Sequence, residues 1–107
     1  MASTPEVLVK TKIKKILKEN GVWYAMPIGT GFGNSGVPDF LCCVNGRFLS
    51  IEAKAGRNIP TALQEKNMRD IRIAGGVALV VNEDTALLER TIAGMKNVNP
   101  DDSANHK

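Results

Sequence analysis

The sequence predicts an α/β domain with the element order α-β-β-β-α-β-α. Three observations predict it. Val9, Ile13, Ile16 and Leu17 recur at helical spacing near the start of the chain. Asn45-Gly46 joins two short apolar runs, the strongest local signal for a tight β-hairpin. VALVV, residues 77–81, is a continuous apolar run, the pattern of a strand covered on both faces.

The elements follow in order. TPEVLVKTKIKKILKENG reads as the first helix, with Thr4 as N-cap, Pro5 in the first helical position and Gly21 as the stop. Lys10, Lys12, Lys14, Lys15 and Lys18 cover much of its remaining surface. Glu6 lies in line with the apolar stripe, so it is expected to face the body of the protein. VWYAMPI, residues 22–28, reads as a strand, and GTGFGNSG, residues 29–36, as a flexible loop. VPDFLCCV and RFLSIEAK are the hairpin strands. TALQEKNMRDIRIAGG is a second helix, with Thr61 as N-cap and Gly75-Gly76 as the stop. VALVV follows, then DTALLERTIAG as a short third helix. One domain is expected over residues 1–96, and residues 97–107 have the composition of a disordered tail.

Composition narrows the classes. The 107 residues are 43% hydrophobic and 23% charged, a balance that fits a globular domain rather than a disordered chain. No apolar run approaches the ~20 residues that cross a bilayer. MASTPEVLVK lacks the basic-then-apolar pattern of a signal peptide, so a cytoplasmic, intracellular protein is expected. Cys42 and Cys43 are adjacent and point to opposite faces of a strand, which disfavours a disulfide. Neither has a Cys or His partner at metal-ligand spacing, and the only histidine, His106, lies in the polar tail. The net charge of +3 permits nucleic-acid binding without requiring it.

The hairpin carries the chemistry. A two-residue Asn45-Gly46 loop pairs Val44 with Arg47, and that register carried outward sets Asp39 opposite Glu52. A three-residue bulged loop would make the two diagonal neighbours instead. Directly opposite side chains have Cβ atoms about 4.5–5.5 Å apart. Glu52 and Lys54 are two apart and share that face, while Leu49 and Ile51 point the other way toward Cys42 and Phe40. Facing carboxylates repel, and a divalent cation reverses that sign. Oxygen ligands in this arrangement suit Mg²⁺ or Mn²⁺. A protonated lysine beside them can orient water or stabilise charge developing on a phosphate. These are the parts of metal-assisted phosphodiester hydrolysis. The bland alternative is a solvated surface cluster of three charges.

Pro38-Asp39 followed by Glu52-Ala53-Lys54 resembles the PD-(D/E)xK signature of a large nuclease superfamily. The ordered set of GVPDF, hairpin, IEAK, Gln64 in the next helix, and GG before VALVV resembles the virus-type replication-repair nuclease domain, VRR-NUC. The resemblance spans roughly residues 5 to 83. It implies a restriction-endonuclease-like core with a mixed sheet flanked by helices. It implies that Asp39 and Glu52 bind metal with the backbone carbonyl of Ala53, and that Lys54 is the catalytic lysine. Gln64 matches a glutamine that supports the active site, and Glu6 an acidic residue that often completes it, as a further metal ligand in some members. Small members of the family are often viral and dimeric and resemble Holliday junction resolvases, so the resemblance further implies an endonuclease acting on branched DNA as a homodimer.

Gln64 is also placed on the apolar side of its helix by its spacing from Met68 and Ile71; the alternative is a helix-edge side chain in solvent. Gly31 to Gly36 is formally G-x-G-x-x-G, but a strand follows rather than a helix, so a nucleotide-binding role is not supported. The first-helix lysines form either a solvated face or phosphate contacts. Arg57, Lys66, Arg69 and Arg72 are the better candidates for the DNA backbone. Two further classes of function remain at this level: a non-catalytic DNA-binding module with the same fold, and a protein-interaction domain.

Overall fold

The computed structural model of the chain describes residues 4–28 and 36–98. The first helix, α1, spans Pro5–Glu19. Thr4 caps it as its sequence position predicts: its hydroxyl accepts from the Val7 N–H at 3.2 Å. Val9, Ile13 and Leu17 are completely buried along one stripe. The hairpin strands are β2, Phe40–Val44, and β3, Arg47–Ala53. Asn45 and Gly46 both have positive φ, 53° and 81°, as a two-residue hairpin turn requires. Val44 pairs with Arg47 and Phe40 with Ile51, the register expected from the turn.

The first strand, β1, is only Trp23–Ala25, shorter than the expected 22–28. Pro27 has no N–H to give to a ladder, so pairing with β2 stops at Ala25 opposite Leu41. β2 likewise starts later than expected, because Pro38 precedes it. The second helix, α2, spans Ala62–Ile73 and leads to β4, Val77–Val81. β4 runs parallel to β3 while the other pairs are antiparallel, which makes a mixed sheet in the order β1-β2-β3-β4. The last helix, α3, spans Ala86–Asn97. It runs through Gly94, where the sequence predicts its end. Leu88, Ile92 and Met95 are buried along it, so packing past the glycine offsets glycine's weak helix propensity. The expected tail boundary therefore shifts, since Asn97 is helical; residues 99–107 and loop residues 29–35 lie outside the described residues.

The two sheet faces differ. Phe40, Cys42, Val44, Leu49, Ile51, Ala53 and Val81 form one core with α1 and α3. The opposite face carries Ser50 and Glu52 beside Ala78 and Val80, by the β3–β4 register. α2 packs on that face, where Met68 and Ala78 are buried. Its cover is partial: Val80 is 36% exposed, so β4 is not enclosed on both faces as VALVV suggested. Among the described residues, no helix is long and apolar enough to cross a membrane.

Candidate active site

Asp39 sits one residue before β2, outside the backbone ladder. Its side chain continues the ladder instead: Oδ2 accepts from the Ala53 N–H at 2.8 Å. That bond ties the hairpin's open end together. In an extended residue the N–H and C=O point to the same side, so the Ala53 carbonyl also faces the Asp39 side of β3.

Glu52 is 3% exposed, an unusual burial for a carboxylate. One of its oxygens, Oε1, accepts from Gln64 Nε2 at 3.0 Å. Gln64 is held for this by a capping box. Its own Oε1 accepts from the Thr61 N–H at 2.9 Å, and its N–H donates to the Thr61 hydroxyl at 3.2 Å. With the carbonyl end committed to the backbone, the amino end is turned to Glu52. The second oxygen, Oε2, is buried with no donor facing it among the described residues. The Asp39 carboxylate is within hydrogen-bonding reach of Glu52, so the two can pair only by sharing a proton or a cation. Burial first, and then the Asp39 charge, push the Glu52 carboxyl up to about 8; Lys54 pulls the other way and Glu6 adds to the rise.

Lys54 follows β3, and its backbone N–H donates to Val81 O at 3.0 Å. Its half-buried side chain lies near enough to Glu52 for their charges to interact. Glu6 contributes at longer range. Its side chain is 44% exposed and is engaged by Lys10 rather than turned fully inward. Lys10 Nζ stands 3.8 Å from Glu6 Oε2 and 3.6 Å from Asp39 Oδ1. Lys10, expected on the outer surface of α1, is instead drawn to the site by the two acids. The signal for it was the Glu6-to-Lys10 spacing of four on one helix.

The four cations expected at a DNA surface divide. Lys66 pairs with Asp70 at 2.9 Å, an exposed bridge that is weak and easily given up. Arg72 donates to Ala78 O at 2.7 Å and braces β4. Arg57 and Arg69 are exposed and have no side-chain partner among the described residues. At the edge of the glycine-rich loop, Gly36 is buried against α2, where a Cβ would collide with Asn67 and Leu63. Its role is close packing.

Among the described residues no three Asp, Glu, His or Cys side chains converge on one point, so the acidic centre is the Asp39–Glu52 pair. No protein-family model matches the chain, and no curated protein is significantly similar to it.

Proposed function

We propose that this chain is a Mg²⁺- or Mn²⁺-dependent DNA endonuclease of the VRR-NUC kind, with a PD-(D/E)xK core. One observation carries the reading: a buried glutamate oxygen, Glu52 Oε2, has no donor among the described residues, and the Asp39 carboxylate lies close enough to raise the Glu52 carboxyl. That arrangement is costly for the chain alone and suits a cation. Mg²⁺ is usually held by one or two carboxylates plus water and substrate phosphate, so a pair suffices. Asp39, Glu52 and the Ala53 carbonyl would hold it. When bound, the cation offsets the two acids and draws negative charge from the phosphate under attack.

The chain's own residues do the rest. Gln64 fixes the rotamer of Glu52. Lys54 orients a water or stabilises negative charge developing on the phosphate. Lys10 partly neutralises Asp39 and Glu6 in the free protein. Branched DNA as substrate and a homodimer as the working form follow from the VRR-NUC resemblance alone. One observation favours a non-catalytic DNA-binding module instead: both Asp39 oxygens already have protein partners, Lys10 and the Ala53 N–H. Nicking of supercoiled plasmid with Mg²⁺ or Mn²⁺ decides between them. The nuclease reading expects nicking that Asp39→Asn and Glu52→Gln abolish while both variants remain folded. Cleavage retained in either variant overturns it.

A further inference from the structure

A cavity of about 320 Å³ opens beside Lys54, lined among others by Asn58, Val80, Asn82, Asp84 and Arg90. It lies one strand from the acids, because Val80 is the β4 partner of Glu52 and shares its face. The polar lining is unevenly used. Asn82 Oδ1 accepts from the Asp84 N–H at 2.9 Å, and Asp84 Oδ1 accepts from the Ala86 N–H at 3.0 Å. Those bonds consume acceptors. The donors remain: the Lys54 ammonium, the Arg90 guanidinium and the Asn82 amino group have no acceptor among the described residues. Two cations and an amide donor against one partly engaged carboxylate suit an anion, and the volume exceeds what a bare ion needs. Arg90 presents the flat fork of donors that matches phosphate oxygens. The cations singled out from the sequence lie on or before α2, whereas Arg90 is on α3.

We propose that Arg90, with Lys54 and Asn82, grips a backbone phosphate of DNA next to the one that is cut. Arg90 thereby positions the substrate strand across the acids. The placement next to the cut phosphate rests on the nuclease reading; the phosphate contact itself does not.

The test compares wild type with Arg90→Gln and Arg90→Lys, all checked for an unchanged thermal melt. Binding of a fluorescent DNA duplex in EDTA is followed by anisotropy through a salt titration. Arg90→Gln is expected to bind roughly tenfold more weakly and to lower the slope of log K against log salt by about one. Arg90→Lys is expected to keep the slope and recover part of the affinity. In cleavage assays KM should rise roughly tenfold in Arg90→Gln while kcat changes little. If wild type binds duplex but cleaves nothing, the nuclease reading falls, and a reduced slope in Arg90→Gln still supports the phosphate site. An unchanged slope in Arg90→Gln, or no duplex binding by wild type, overturns the proposal.

Discussion

Gln64 donates to Glu52 Oε1 at 3.0 Å while its own carbonyl oxygen accepts from the Thr61 N–H at 2.9 Å. One side chain therefore closes a helix cap and orients a buried carboxylate. The two functions separate by mutation. Gln64→Leu leaves a buried oxygen without its donor and is expected to cost about 1–3 kcal/mol. Thr61→Ala removes the cap and is expected to cost about 1 kcal/mol. Urea unfolding measures both. Both should also weaken plasmid nicking, Gln64→Leu more, because Thr61→Ala keeps the backbone N–H that holds the amide. Equal stability loss with unimpaired nicking would make Gln64 a capping residue only.

The Glu52 carboxyl gives a pH dependence of definite sign. Its folded value is raised to about 8 from an ordinary 4.5, chiefly by burial and by Asp39. Between those values the folded chain holds a proton that the unfolded chain has released. The stability from this group is thus full below about pH 4.5, falls as pH rises, and is lost once pH passes about 8. Metal-free protein should be less stable at about pH 9 than at about pH 5, by an amount on the order of a few kcal/mol. Glu52→Gln should remove this component and be the more stable protein at high pH. Added Mg²⁺ or Mn²⁺ should stabilise wild type most at the alkaline end and leave Glu52→Gln nearly unmoved. Chemical denaturation across pH, with and without metal, checks each statement. A wild-type profile parallel to that of Glu52→Gln would show that Glu52 is already ionised in the free fold.

Local signals account for the features that were legible in the sequence. The Asn45-Gly46 turn sets the β2–β3 register, and from it the approach of Asp39 to Glu52 follows by alternation alone. Thr4 and Thr61 are caps because a side-chain oxygen beside the first turn has one natural partner, the orphan N–H groups. What stayed hidden depends on tertiary placement. The Glu6-to-Lys10 spacing marks only their pairing on α1, and Lys10 is tied to the site when the fold brings Asp39 within 3.6 Å of it. Arg90 is anonymous until the β4 strand end and α3 close a cavity with Lys54. Gly94 reads as a helix stop, yet Met95 beyond it is buried in the core and carries the helix to Asn97.

Two glycines should respond to alanine with opposite signs. At Gly36 a Cβ would lie 2.7 Å from the Leu63 carbonyl and would also strike the Asn67 amide. The carbonyl belongs to α2 and cannot swing aside, so the loop end or the helix must shift. That overpacking is expected to cost about 1–3 kcal/mol. Because Leu63 precedes Gln64 on α2, the shift should also loosen the Gln64–Glu52 contact and slow nicking. At Gly94 nothing lies within 4 Å of the added carbon, and the residue is exposed inside a helix. Gly94→Ala should therefore stabilise by about 0.5–1 kcal/mol through helix propensity, with nicking unchanged. Thermal melts of the two variants beside wild type read the signs directly. Gly36→Ala melting at or above wild type would mean that the strand start packs less tightly on α2 than these contacts require.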